Sequence, residues 1–112
     1  MGWYYINLRV HNGKVDQWTT GVDAPGDNNQ LDHIQAARNS AYGIHANGHG
    51  TLISGCLAYD NERTGITAGI GATVSRCTSS NNGTNSGFEA RGIHAGPGST
   101  IYGCSSLWNG EE

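Results

Sequence analysis

The sequence contains few charged residues and no surplus of basic ones. Of its 112 residues, 6 are Lys or Arg and 9 are Asp or Glu, which gives a formal net charge of −3. Nucleic-acid binding usually needs a clustered basic surface, so a nucleic-acid partner is not expected. No apolar run approaches the ~20 residues of a membrane-spanning helix, so no membrane contact is expected either.

The N-terminal segment lacks the marks of an export signal. Its first ten residues, MGWYYINLRV, have neither the basic start nor the apolar run of a secretion signal. The sequence therefore predicts a cytoplasmic location, unless the segment is excised from a secreted protein.

Glycine is abundant, with 18 residues, and the glycines mark a repeat. Four segments begin with Gly and end with Asn. They read GVDAPGDNNQLDHIQAARN (Gly21–Asn39), GIHANGHGTLISGCLAYDN (Gly43–Asn61), GITAGIGATVSRCTSSNN (Gly65–Asn82) and GIHAGPGSTIYGCSSLWN (Gly92–Asn109). Their starts lie 22, 22 and 27 residues apart, a period typical of stacked repeat units.

The repeats agree in columns of side chains as well as in spacing. Each has an aliphatic position, an alanine, a second aliphatic position, an isoleucine or cysteine, and a closing asparagine. In that order the columns are Val22/Ile44/Ile66/Ile93, Ala24/Ala46/Ala68/Ala95, Leu31/Ile53/Val74/Ile101, Ile34/Cys56/Cys77/Cys104 and Asn39/Asn61/Asn82/Asn109. Because strand side chains alternate between faces, each repeat can form three short strands that turn apolar residues to one side.

Stacked copies of such a unit form a parallel β-solenoid, in which equivalent strands lie about 4.8 Å apart. In its repeats of the form GI…G…TVxxCxxxxN, the chain resembles the right-handed parallel β-helix of the pectate-lyase-like superfamily. The resemblance implies an all-β fold, a short right-handed parallel β-helix of about four coils with a partial coil at the N-terminus.

The predicted organisation is a single β-helix domain over residues 1–112. Residues 1–20 are expected to form a partial coil and an N-terminal cap. The aromatic cluster of this cap is Trp3, Tyr4, Tyr5 and Ile6. The repeats occupy 21–39, 43–61, 65–82 and 92–109, and residues 83–91 form an insertion loop.

Two of the columns have a structural explanation. The three cysteines share one inward column and are expected to be buried small hydrophobic residues, although a disulfide between neighbouring coils is within reach. No CxxC pair or cysteine–histidine spacing of a zinc site occurs, so neither metal nor cofactor is expected. The closing asparagines are expected to hydrogen-bond along the solenoid axis and to adopt the left-handed backbone of a turn.

A column of outward polar side chains provides the main candidate site. Asp23 and His45 would lie one coil apart, close enough to share a hydrogen bond, and a carboxylate beside an imidazole can act as an acid–base pair. The turn Gly48–Gly50 is similar to the GHG of polygalacturonases. The insertion adds one aromatic residue and charged residues, among them Glu89. The candidate ligand-binding residues are Asp23, His45, His49, Thr67, Phe88, Arg91 and His94.

These observations predict a noncatalytic β-helix repeat module that binds carbohydrate or a partner chain, with carbohydrate implied by the resemblance. The open alternative is a polysaccharide-active lyase, hydrolase or epimerase, or a fragment of one. The acidic motifs of polygalacturonases are absent, and glycoside hydrolysis needs two carboxyl groups at one site. No catalytic residue is therefore assigned, and the noncatalytic interpretation is favoured.

The last coil predicts self-association. No amphipathic segment follows it in the sequence, and exposed strand edges invite pairing with another chain. We expect a homo-oligomer, most simply a dimer, that forms through the open C-terminal coil or the aromatic N-terminus.

Overall fold

Twelve short strands, and no helix, make up the described part of the chain. The structure is a computed structural model that describes residues 9–84 and 90–110. The strands are β1 Arg9–Asp16, β2 Val22–Asp23, β3 Gln30–Ala37, β4 Ile44–Ala46, β5 Leu52–Ser54, β6 Leu57–Tyr59, β7 Ile66–Ala68, β8 Thr73–Ser75, β9 Thr78–Ser80, β10 Ile93–Ala95, β11 Thr100–Tyr102 and β12 Ser105–Leu107. None of the described segments could cross a membrane as a helix.

All of the strand pairs are parallel, and each joins equivalent positions of neighbouring repeats. One sheet has the order β10-β7-β4-β2, and the other contains β11-β8-β5-β3-β6-β9-β12, with β1 paired to β3. The register matches the sequence columns residue by residue, for example Ile44 with Ile66 and Ile53 with Val74. The predicted all-β parallel solenoid is confirmed.

The N-terminal strand β1 stacks on the first full repeat. In β1, Val10 pairs with Leu31 of the second aliphatic column, and Val15 pairs with Ala36. Both valines are partly buried and pack against the core. The aromatic cap at residues 3–6 and the insertion residues 85–89 lie outside the described residues.

The core is a narrow stack of small and branched side chains inside the coils. Its members are fully buried in the middle of the stack, where Ile44, Ile53 and Ile66 are 0% exposed. The predicted burial of Cys56 and Cys77 is confirmed, and Cys104 in the last coil is partly buried. The three thiols are free, so the sulfurs serve as packing atoms rather than as cross-links.

A ladder of asparagines runs along one corner of the solenoid. The Nδ2 group of Asn39 donates to Oδ1 of Asn61, that of Asn61 to Asn82, and that of Asn82 to Asn109, at 2.8, 2.8 and 2.9 Å. Each Oδ1 also accepts the backbone N–H of the preceding coil's asparagine. The predicted asparagine ladder is therefore confirmed, and it satisfies polar groups that are buried between coils.

The predicted backbone conformation of these asparagines is wrong. The left-handed residue at this corner is the one immediately before each asparagine. These residues are Arg38, Asp60, Asn81 and Trp108, with φ between 51° and 57°. The asparagines of the ladder themselves stay outside the left-handed region.

Candidate functional site

The candidate site lies on the outward side of the four-stranded sheet. Asp23, His45, Thr67 and His94 occupy equivalent positions of β2, β4, β7 and β10. Because the strands are in register, their side chains form one line along the solenoid axis, about 4.8 Å apart per coil. The predicted column therefore exists as a continuous surface feature.

A second column runs beside it, formed by the residue before each repeat's first glycine. Tyr42, Thr64 and Arg91 take this position in successive coils. Their backbone carbonyls accept the N–H groups of Gly21, Gly43 and Gly65, at 3.0, 3.2 and 3.0 Å. These hydrogen bonds fix the second column in the same register as the first.

The two columns enclose a surface cleft of about 280 Å³. Its lining residues are Tyr42, His45, Thr64, Thr67, Arg91 and His94. The cleft spans the last three coils of the described chain, and its lining combines an aromatic ring, two imidazoles, two hydroxyls and a guanidinium. Such a lining provides several hydrogen-bond donors and acceptors within one concavity.

Asp23 and His45 contact each other at the edge of this cleft. Oδ1 of Asp23 lies 3.3 Å from Nδ1 of His45, and the side chains are 46% and 28% exposed. A carboxylate accepts hydrogen bonds only, so the contact assigns the proton to Nδ1. In the neutral ring, Nε2 of His45 is then the acceptor.

His94 has the opposite assignment. Its Nδ1 lies 2.9 Å from Nη1 of Arg91, and a guanidinium can only donate. Nδ1 of His94 is therefore the acceptor, and Nε2 of the neutral ring carries the proton. Two coils apart in one column, His45 offers an acceptor and His94 offers a donor.

The ring of Tyr42 stacks on one face of the imidazole of His45. The two rings stack with centroids 4.7 Å apart and planes inclined by 22°. The guanidinium carbon of Arg63 lies 5.9 Å from the centre of the Tyr42 ring, a cation–π contact worth about 0.5–1 kcal/mol at exposed sites. His45 is thus positioned by Asp23 at one nitrogen and by Tyr42 on one face.

His49 does not join this site. It lies in the turn after β4, where its backbone N–H donates to Oδ1 of Asp27 at 2.8 Å and its own Nδ1 lies 3.4 Å from the same oxygen. Gly48 has a structural explanation, because a Cβ there would collide with the carbonyl of Gly26 in the preceding coil. The GHG segment is therefore accounted for by the packing of turns.

The remaining predicted site residues divide between the cleft and the insertion. Arg91 and His94 line the cleft together, and Thr67 lies between His45 and His94 in the column. Phe88 and Glu89 lie outside the described residues.

Sequence reasoning missed Tyr42 and Thr64. Both precede the glycine that was taken as the start of each repeat, so they fall between the aligned segments. The signal that could have found them is the fixed spacing of three residues between Tyr42 and His45, between Thr64 and Thr67, and between Arg91 and His94.

Metal-ligating side chains do not converge on the cleft. Over residues 9–84 and 90–110, no group of three or more His, Cys, Asp or Glu side chains is arranged to hold a metal ion. The two imidazoles of the column lie two coils apart, with Thr67 between them.

Parallel strands in matching register, with an inner apolar stack and outward polar columns, define a parallel β-solenoid. A family model described as the right handed beta helix region matches residues 7–110 of the chain. The chain therefore belongs to the right handed beta helix family. No curated protein and no solved structure matches it.

Family membership establishes the fold of the chain but does not assign an activity to it. Right-handed β-helices carry different functions on the same coils, so function has to be argued from side chains.

Proposed function

We propose that this β-helix repeat module is noncatalytic and binds a carbohydrate in the cleft between the two outward columns. The observation that carries the proposal is the pair of opposite imidazole assignments. His45 presents an acceptor and His94 presents a donor along one line. Sugar hydroxyls both donate and accept hydrogen bonds, so a chain of hydroxyls can satisfy both groups.

The lining of the cleft supports the same class of ligand. Thr67 lies between the two histidines in the column. Thr64 lines the cleft with a hydroxyl oxygen that accepts the backbone N–H of Arg91, and Tyr42 adds a ring and a phenol. Polar groups that are held in place before binding lose less freedom when a ligand arrives. His45 is held in this way by its contacts with Asp23 and Tyr42.

The noncatalytic part of the proposal rests on the small number of carboxylates around the described cleft. Among the described residues that line it, none is a carboxylate, and Asp23 at its edge is engaged by His45. Most glycoside hydrolases place two carboxyl groups across the scissile bond. With Asp23 as the one carboxylate at the described cleft, the second carboxyl group that glycoside hydrolysis requires is not supplied by its lining.

A glycan array with matched histidine variants tests the proposal. The wild-type chain is expected to retain at least one glycan class, and His45→Ala is expected to weaken that binding about tenfold, because a lost hydrogen bond and ring contact cost about 1.4 kcal/mol. His49→Ala is the control, since His49 is an exposed histidine outside the cleft. Absence of glycan retention, or equal losses in both variants, would refute the proposal.

A polysaccharide-active enzyme is the second candidate, favoured by the contact between Asp23 and His45. An imidazole whose Nδ1 is held by a carboxylate can take up a proton at Nε2 as a general base. Asp23→Asn separates the two candidates: a binding module should keep most of its affinity, whereas an enzyme should lose turnover of the bound polysaccharide. Release of shortened or unsaturated fragments by the wild type, and its loss in Asp23→Asn, would establish the enzyme.

A further inference from the structure

Four asparagines of the chain are followed directly by a glycine. The pairs are Asn12-Gly13, Asn47-Gly48, Asn82-Gly83 and Asn109-Gly110. Such a pair can deamidate, because glycine has no Cβ that would keep its backbone nitrogen from the side-chain carbonyl carbon of the preceding asparagine. The reaction needs a side chain and a backbone N–H that are both free to move. The four pairs differ in how the fold holds them.

The asparagine ladder engages two of the pairs. Nδ2 of Asn82 donates to Oδ1 of Asn109 at 2.9 Å, and Oδ1 of Asn82 accepts from Nδ2 of Asn61 at 2.8 Å. The glycine that follows is engaged as well. The N–H of Gly83 donates to the carbonyl of Asn61, and that of Gly110 to the carbonyl of Asn82, both at 2.8 Å. Reaction at either pair would break several of these bonds, so the folded ladder should protect both pairs.

The pair at Asn12 is restrained by strand pairing. Gly13 belongs to β1, where it is paired with Ile34 of β3. Nδ2 of Asn12 lies 3.0 Å from Nδ1 of His11. The side chain of Asn12 is exposed, but the backbone cannot rotate towards it without opening the strand, which slows any reaction that needs this rotation.

The pair at Asn47 has none of these restraints. Asn47 is exposed and directly follows β4, outside any strand. Within residues 9–84 and 90–110, no hydrogen bond engages the side chain of Asn47 or the N–H of Gly48. The preceding coil packs against the α-carbon of Gly48, where a Cβ would meet the carbonyl of Gly26. Both groups that react are therefore free of hydrogen bonds at this pair.

We propose that Asn47 is a site of spontaneous deamidation in the folded protein. The nitrogen of Gly48 attacks the side-chain carbonyl carbon of Asn47, and the new C–N bond closes a succinimide ring. The bond to Nδ2 breaks, and this nitrogen leaves as ammonia with the proton that the Gly48 nitrogen carried. Water then opens the ring at either carbonyl and leaves aspartate or isoaspartate at position 47. The chain exchanges NH for O and gains one negative charge at neutral pH.

The modification adds charge beside the candidate cleft. Asn47 follows His45 by two residues, so their Cα atoms are at most about 7 Å apart. The imidazole of His45 already has one carboxylate neighbour, Asp23, at 3.3 Å. Deamidation places a second carboxylate in the same part of the surface. The charge around the cleft then changes with the age of the protein, and any effect on ligand affinity rests on the proposed carbohydrate site, whereas the modification itself does not.

Peptide mapping by mass spectrometry after incubation at mildly alkaline pH tests the proposal. The peptide that contains Asn47 is expected to deamidate in the folded chain at a rate within about tenfold of its rate in urea, because segments outside the strands open at little cost. The peptides that contain Asn82 and Asn109 are expected to react at least about a hundredfold more slowly when folded than in urea, because the ladder must open first. Circular dichroism before and after incubation checks that the chain stays folded.

Two glutamine variants give an independent measurement by ion-exchange chromatography. Glutamine keeps the amide and the charge of asparagine, but its longer side chain would have to close a larger ring with the next nitrogen. Asn47→Gln is expected to remove most of the acidic species that wild type forms with time. Asn12→Gln is the matched control, since it changes the other exposed pair, and it should leave most of the acidic species.

Three results would overturn the proposal. The first is an Asn47 peptide that stays intact in the folded protein while it reacts in urea. The second is deamidation of Asn82 or Asn109 in the folded protein at the rate of Asn47. The third is a larger loss of acidic species in Asn12→Gln than in Asn47→Gln. None of these measurements uses a carbohydrate, so they decide the modification site whether or not the cleft binds one.

Discussion

Replacing Asn61 with alanine removes four side-chain hydrogen bonds from the middle of the asparagine ladder. Oδ1 of Asn61 accepts the backbone N–H and the Nδ2 group of Asn39, and its own Nδ2 donates to Oδ1 of Asn82 and to the carbonyl of Ala36. Asn61 is 2% exposed, so water cannot replace these bonds readily.

The expected loss is large compared with the stability of a small domain. At a net value of about 1 kcal/mol for each hydrogen bond, the four bonds together stabilise the fold by about 4 kcal/mol. Total stabilities of single domains are about 5–15 kcal/mol. With an m value of about 2 kcal/mol per molar urea, Asn61→Ala should lower the unfolding midpoint by about 2 M.

Urea unfolding followed by circular dichroism measures this loss. Asn47→Ala is the matched control, because Asn47 is exposed and lies directly after β4 outside any strand, and its replacement should change stability by less than about 0.5 kcal/mol. If the two variants lost equal stability, the ladder would not be a source of cohesion between coils.

Three further predictions concern a glycine, an ion pair and a thiol. Gly43→Ala should destabilise the chain by about 1–3 kcal/mol, because its Cβ would lie 2.6 Å from a backbone oxygen and 2.7 Å from a ladder amide. Gly13→Ala has no atom within 4 Å of the new Cβ, and equal urea midpoints for the two variants would contradict this reasoning. The hydrogen bond from Arg9 holds the pKa of Asp32 below its ordinary 3.8, so the stabilisation it brings is complete above that pH and is lost as pH falls through the lower folded value. Arg9→Gln should therefore show a smaller loss of stability on acidification, measured by urea unfolding across the acid range, and parallel wild-type and variant profiles would refute the effect. The neighbouring cysteine sulfur and burial raise the pKa of the Cys77 thiol far above its ordinary value, so Cys77 should resist alkylation at mildly alkaline pH until urea unfolds the chain, and rapid labelling of the folded protein at Cys77 would contradict it.

The fold could be predicted from the sequence because a solenoid places like residues on like residues. Ile44 and Ile66 share a column in the aligned repeats, and they are also paired in the sheet. An alignment of the repeats therefore also predicts which residues contact each other. The same property predicted the ladder of Asn39, Asn61 and Asn82.

The backbone at the corners could not be predicted in this way. The left-handed residues Arg38, Asp60, Asn81 and Trp108 have no chemistry in common, and only two of them, Asp60 and Asn81, are of types that favour this conformation. Their geometry comes from the packing of the corner between coils. Side-chain identity at the position therefore carries almost no signal.

Only part of the candidate site could be predicted from the sequence. Asp23 and His45 could be placed together because they share a column, and the structure brings them into contact. Tyr42 belongs to a second column that lies outside the segments with obvious similarity, so its stacking on His45 required the three-dimensional arrangement. His49 looked like a member of the site because of its neighbours in sequence, but the turn directs it towards Asp27.

The length of the paired outward columns is set by the number of coils. Every repeat contributes one residue to the line of His45 and His94 and one to the line of Tyr42 and Arg91. Duplication of a repeat would lengthen this surface by a single step of about 4.8 Å while leaving the geometry of existing steps unchanged. If the cleft binds a polymer as proposed, gene duplication can lengthen the binding surface without any redesign of the scaffold.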